Sequence, residues 1–213
     1  MVRIVIVGAG GHGRVISDIL SNLPDFDTVG FIDDDPAVCG TKINGRPVLC
    51  KSSDAASLKE RFVISAAVIA IGDNKIRSTI FERFLKAGFS MPCIVHPKAI
   101  VSSGATLGKG VVVMPGAIIN IGSVIGDDVC INTAATVDHD CKISDHSHIF
   151  PGANITGGVR VGRFSYIGTN AAVNPNISIG ENVMIGTGAA VVSDIPDGVV
   201  AVGVPAKIIK KKE

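Results

Sequence analysis

Tryptophan is absent from this 213-residue chain, and Tyr166 is its single tyrosine. Stacking on aromatic side chains is therefore not its main means of binding. A surplus of either charge is missing too, with 20 basic against 19 acidic side chains and a formal charge of +1. Nothing in that balance argues for a nucleic acid or an anionic membrane as partner, so any anion must be met locally. The longest apolar run, Val63 to Ile71 broken by Ser65, falls far short of a membrane span. The opening Met1-Val2-Arg3-Ile4 reads as the lead into a strand rather than a signal peptide. Five cysteines (Cys39, Cys50, Cys93, Cys130, Cys141) are odd in number and include no CxxC pair. Reduced thiols in a cytoplasmic protein, with no metal site, are the simplest expectation.

What the chain has in abundance is periodicity. From Val101 to Val191 every sixth residue is Val, Ile or Leu, for sixteen beats without a miss. A small side chain sits two residues before most beats, as at Ala117, Ser123, Ala135 and Cys141, and Gly or Asn recurs one residue after, as at Gly108, Asn120 and Gly126. A fixed period of six marks a parallel β-helix, in which three hexads make one triangular coil and sixteen beats make about five coils. The large and small apolar positions point inward. The Gly or Asn is expected to supply the left-handed backbone of each corner. A rigid spacer is the bland use of such a prism.

Residues before about 90 read differently. Arg3 to Val7, Thr28 to Ile32 and Ala66 to Ile71 are strand-like. Val15 to Leu20 and Lys75 to Ala87 are helical, the second with Ile76, Ile80, Phe81 and Phe84 on one face. This is a small Rossmann-like parallel α/β unit with about three strands, giving domains of 1–92 and 93–213. Gly8-Ala9-Gly10-Gly11-His12-Gly13 satisfies GxGxxG between strand and helix, and Asp33 follows about twenty residues later. Those are the conditions for a dinucleotide fingerprint. NAD binding is thus a rival reading, weakened by the missing second half of such a fold and by the lack of residues for hydride transfer. The same turn serves any phosphate through free backbone N–H groups at a helix start. Asp33-Asp34-Asp35 can also be a solvated turn.

Histidine is scarce, and three of the five (His139, His146, His148) fall within ten residues. His139 lies two places past the beat at Val137 and should point outward, between Asp138 and Asp140. An imidazole beside a carboxylate is held in one tautomer and made more basic, which suits a general base, although a solvated surface histidine has the same pattern. Gly157, eighteen residues on, should sit one rung above and leave space beside the ring. Thr169 and Thr187, also eighteen apart, should line one edge, where a slender groove would fit a pantetheine arm. Cys141 takes an inward position and should be buried and inert. His146 reads as a solvated surface residue. The lysines at 207, 210, 211 and 212 form a basic tail that either approaches phosphates or frays in solvent.

Taken in order, Gly8 to Gly13, Ile32-Asp33-Asp34, Ala70 to Arg77, His96-Pro97, His139-Asp140-Cys141 and Val202 to Lys207 resemble a known pattern. It is that of the bacterial nucleotide-sugar N-acetyltransferases acting on 4-amino-4,6-dideoxy sugars, with their sialic acid O-acetylating relatives. The resemblance covers nearly the whole chain. It implies a left-handed β-helix of hexapeptide repeats, a homotrimer with sites between neighbours, and acetyl-CoA as co-substrate. It implies His139 as catalytic base, made more basic by Asp140, with His148 near the thioester and Thr169 and Thr187 at backbone contacts to the cofactor. It places Gly10, Gly11 and His12 at the diphosphate or sugar of the nucleotide-linked substrate, Asp33 and Asp34 on its donors, and Gly72 close to it. O-acetylation of a sugar hydroxyl and a nucleotide-binding scaffold are the alternatives.

Overall fold

The computed structural model describes residues 1–212, apart from the side chains of Cys50 and Asp54. They form two units, Met1–Ile94 and a second beginning at Val95.

In the first unit, β1 (Val2–Val7) is followed by α1 (Gly11–Ser21), β2 (Phe26–Asp33), β3 (Lys42–Ile43) and β4 (Arg46–Cys50). After these come α2 (Ala55–Phe62), β5 (Ala66–Ile69) and α3 (Asn74–Lys86). The sheet order is β3-β4-β2-β1-β5, parallel except for the β3–β4 hairpin. Ile4, Val5 and Ile6 in β1 are wholly buried. Such a continuous apolar run is what a strand covered on both faces requires. One face carries a core of Val5, Val7, Ile32, Leu58, Phe81 and Phe84. Five strands form where three were expected. The additional pair is the β3–β4 hairpin, closed by Asn44 and Gly45 at φ 49° and 75°, the positive pair that a tight two-residue turn demands.

Two further expectations need correction in this unit. Helix α1 starts at Gly11, not Val15, because Gly11 to Gly13 already take helical form. Ile76 is 55% exposed, while Ile80, Phe81 and Phe84 are buried. Ile76 belongs to the first turn of α3, so it stands at the rim of the sheet rather than over it.

The β1-α1-β2 connection runs to one side of β1, and β5 lies on the other. The carboxyl ends of β1 and β5 therefore flank a topological switch point, the usual place for a ligand in an open α/β sheet.

The second unit is a parallel β-helix. Sixteen two-residue strands, Ile100–Val101 through Ala190–Val191, each end on a beat. They pair at a spacing of eighteen, as in Ile119↔Val137 and Val137↔Ile155. Three sheets result, of which two have six and five strands. The third is extended by Val199–Val202 and the antiparallel Lys207–Lys211. From Val113 to Val191 every beat residue is at most 2% exposed. The inward serines are satisfied by carbonyls of the next coil, Ser147 Oγ donating to Gly162 O (2.9 Å) and Ser165 Oγ to Gly180 O (2.8 Å).

The corners differ from expectation. Left-handed backbone falls three residues past the beat, at Asp128, Ala134, Asp140, His146, Phe164 and Asn170 among others. The glycine one past the beat answers a different need. A Cβ on Gly168 would lie 2.5 Å from Ile185 O in the adjoining coil, so its lack of a side chain lets successive rungs stack. Cys39 is disulfide-bonded, which corrects the expectation of reduced thiols throughout; Cys93, Cys130 and Cys141 form no disulfide. A bridge closed by folding leaves no CxxC-like signature.

Candidate active site

His139 projects from the corner that follows strand Thr136–Val137, and its side chain is 56% exposed. Asp140 occupies the left-handed corner position at φ 59°. Its Oδ2 lies 2.9 Å from His139 Nδ1. The carboxylate accepts from Nδ1–H, so the Nε2 lone pair is left for other work. That bond, then the charge of Asp138, raises the pKa of the ring above the ordinary histidine value. Nε2 faces Gly157, where a Cβ would come within 2.5 Å of it. The coil register expected from sequence thus brings His139, Asp140 and Gly157 together.

Asp138 is held from three directions. Its Oδ1 accepts from Asn120 Nδ2 and from the His139 main-chain N–H, both at 2.8 Å. Its carbonyl accepts from Ser123 Oγ at 2.5 Å. Ser123 in turn accepts from Cys141 N at 3.1 Å. Cys141 is 1% exposed and its thiol points at Thr156 O (3.1 Å). Burial pushes that thiol up, so it stays protonated and inert.

The cofactor candidates lie elsewhere on the prism. Thr169 and Thr187 follow strands Tyr166–Ile167 and Met184–Ile185 of the third sheet, one rung apart, with Gly188 N donating to Thr169 O at 2.8 Å. His139 and Gly157 follow strands of a different sheet. Within one chain, therefore, the two sets stand at different corners. His148 lies in the third sheet, 4% exposed, its Nε2 3.0 Å from Asn132 Nδ2 and its ring stacked on Phe150 at 4.3 Å.

His146 is corrected outright. It is 4% exposed, bonded to buried Asp128 at 2.9 Å and stacked on Phe164 at 5.1 Å. All three residues share one left-handed corner column, so each ring or carboxylate packs on the next coil instead of facing water.

At the switch point of the first unit, Gly8 has φ 111°, and a Cβ there would lie 2.6 Å from Ala70 O. Gly10, the N-cap of α1, offers no capping side chain, and a helix start is where backbone N–H groups suit an anion. A Cβ on Gly10, Gly11 or Gly72 would meet nothing within 4 Å. Packing does not explain these three glycines. His12 is half-buried, and burial first, then Arg77, pushes its pKa down to about 4, so it is neutral near pH 7. Asp33 holds the loop, accepting from Ala9 N (2.7 Å) and Asp35 N (2.9 Å). Asp34 accepts from Ser52 N (2.5 Å) and Ser52 Oγ (2.7 Å), and Arg83 Nη1 donates to Ser52 Oγ (2.8 Å). A cavity of about 260 Å³ beside them is lined by Gly8, Asp33, Asp34, Ser52, Ile71 and Ile76 among others. Sequence reasoning gave no role to Asn120, Ser52, Arg77 or Arg83. Arg77 entered only as the end of the Ala70 to Arg77 motif, and Asn120 left a trace in its eighteen-residue spacing from Asp138.

Residues 3–84 match the PglD N-terminal domain. The chain is 37% identical over 114 residues to UDP-N-acetylbacillosamine N-acetyltransferase of Bacillus subtilis (strain 168), covering 53% of this chain and 51% of that protein. That match spans about half the length of the curated relative. The acetyltransferase domain of PglB from Neisseria gonorrhoeae FA1090, solved with acetyl coenzyme A, superposes with a TM-score of 0.90 at 39% identity. That superposition covers 97% of this chain and 98% of the other. A histidine-to-asparagine variant of perosamine N-acetyltransferase from Caulobacter crescentus, solved with CoA and GDP-perosamine, gives 0.92 at 39% identity over 98% and 97%. With this likeness running through both units, the chain belongs to the family of bacterial nucleotide-sugar N-acetyltransferases.

Proposed function

We propose that this chain transfers the acetyl group of acetyl-CoA to the 4-amino group of a nucleotide-linked 4-amino-4,6-dideoxy sugar. One observation carries the reading: an exposed imidazole with Nδ1 bonded to a carboxylate and Nε2 left as acceptor beside a glycine. The neutral amine attacks the thioester carbonyl and forms the C–N bond. His139 Nε2 takes the proton from that nitrogen, the C–S bond breaks, and the CoA sulfur leaves as thiolate to be protonated. Asp140 steadies the imidazolium that forms. General-base help of this kind is worth about 10²–10⁴-fold. No covalent carrier is invoked, which accords with the buried, protonated Cys141.

Gly157 leaves room for the thioester next to Nε2, while Thr169 and Thr187 offer backbone groups to the pantetheine arm and His148 lies toward the thioester. These sets occupy different corners of one prism. A homotrimer, in which the corner of one copy meets another copy's face, reconciles them. Residues 1–92 hold the nucleotide sugar, with Gly10, Gly11 and His12 at the diphosphate or sugar, Gly72 close by, and Asp33 and Asp34 as acceptors. The open space above the three glycines supports this, since packing does not account for them. Residues 93–213 carry the acyl transfer. Both substrates belong to the cytoplasm, and the described residues include no helix long and apolar enough to cross a membrane.

The test is thiol release from acetyl-CoA across UDP-, GDP- and dTDP-linked 4-amino sugars. Release with at least one, abolished in a folded His139→Asn, is expected. NAD binding without CoA binding sinks the reading, and release only with hydroxyl acceptors moves it to O-acetylation.

A further inference from the structure

Asn120 has no role above and Asp138 only its charge, yet both bear directly on how the base is held. Both sit one residue past a beat, on successive rungs, and Asn120 Nδ2 donates to Asp138 Oδ1 at 2.8 Å. The same oxygen accepts the main-chain N–H of His139 at 2.8 Å. Asp138 N donates to Ile155 O at 2.9 Å, and its carbonyl takes the Ser123 hydroxyl. Every polar group of Asp138 but one carboxylate oxygen is thus tied to a rung above, a rung below or the base itself.

We propose that Asp138, tethered by Asn120, is a positioning residue for His139, fixing the main chain that carries the imidazole and keeping a second negative charge beside it. This rests on His139 being the base. Asp140 acts on the ring through Nδ1; Asp138 acts through the backbone and through space. Among the described residues these two carboxylates are the charged groups acting on the ring. The rung above offers Gly157 and the rung below Ile121 and Gly122, none of them charged. The carboxylate of Asp138 is itself kept ionised, its pKa lowered chiefly by Asn120 and then by the His139 N–H. An asparagine at 120 therefore serves the base two bonds away, without touching it.

The experiment is the NMR titration of the His139 ring in the full-length protein, in wild type, Asp138→Asn and Asn120→Ala, beside kcat and KM for both substrates. Asp138→Asn keeps both acceptor contacts and removes only the charge, so the fold should survive. The His139 pKa is expected to fall, and the acidic limb of kcat/KM to move down with it. Asn120→Ala, at an exposed site, is expected to give a smaller fall and a kcat lower by about fivefold with KM unchanged, because the base is looser but binding is not. A His139 titration in Asp138→Asn that superimposes on wild type overturns the proposal, whatever the rates. Should the wild type release no thiol with any sugar, the reading of function fails, while the titration still decides this one.

Discussion

Gly157 stands one rung above His139, at a point where a methyl group would come within 2.5 Å of Nε2 and 2.6 Å of Cε1. The glycine is a negative imprint of the imidazole. Gly157→Ala should swing the exposed ring away from its place and leave the stack intact. We expect kcat to fall by about 10- to 100-fold, the scale on which small misplacements act, with a melting temperature close to wild type. Activity near normal would mean that the ring works from another orientation.

Asp140→Asn takes the negative charge from the acceptor of Nδ1–H and so weakens the contact that most raises the pKa of His139. The base must be neutral to accept a proton. A raised pKa puts the acidic limb of kcat/KM above the ordinary histidine value of about 6.5. In the variant that limb should move to lower pH, so the loss of activity should be smaller at pH 6 than at pH 8. A limb that stays in place would show that another group sets it.

Much of this was legible in the sequence, for definite reasons. A two-residue strand facing a narrow interior must bury one apolar residue per hexad, so Val101 to Val191 announce both the fold and its eighteen-residue register. His139 and Asp140 are neighbours in the chain, and their contact is local. What escaped reading joins residues one coil apart. Asp128, His146 and Phe164 form a buried column whose members look like solvent-facing corner residues when each is taken with its sequence neighbours. The left-handed corners were misassigned because Phe164 and His146 occupy them as well as Gly and Asn. The Gly that recurs one residue after a beat, which looked like the corner, instead lets backbones stack. The β3–β4 hairpin was within reach through Asn44-Gly45, but its strands are too short to show alternation.

Burial of the Asp128–His146 pair carries a cost if it is broken. Their side chains are 3% and 6% exposed, and leaving one partner of a buried hydrogen bond unsatisfied typically costs about 1–3 kcal/mol. Asp128→Ala should lose stability on that scale by urea unfolding. Its kcat, measured at a temperature where the variant is folded, should stay within about twofold of wild type. A large loss of kcat in a stable variant would give the column a catalytic role.

Gly11→Ala separates packing from recognition. A Cβ at Gly11 meets nothing within 4 Å, and alanine is favoured over glycine inside a helix by up to about 1 kcal/mol. The variant should be as stable as wild type or slightly more so. If the nucleotide sugar approaches this backbone, its KM should rise about tenfold or more while the KM for acetyl-CoA stays put. Unchanged constants for both substrates would place the diphosphate elsewhere.

Acid should find a weak point at His12. Its folded pKa is about 4 against 6.5 for the free side chain, set by burial and then by Arg77. The unfolded chain therefore takes up a proton at a pH where the folded chain refuses it. Stability is intact above pH 6.5 and declines as pH falls toward 4, by at most roughly 3.5 kcal/mol from this residue at about 1.4 kcal/mol per pKa unit. His12→Asn removes the titration. Urea unfolding at pH 7.5 and pH 4.5 should show wild type losing more stability than the variant over that interval. Equal losses would mean that His12 protonates in the folded state as readily as in water, so that its surroundings are wetter and less positive than Arg77 and the start of α1 imply.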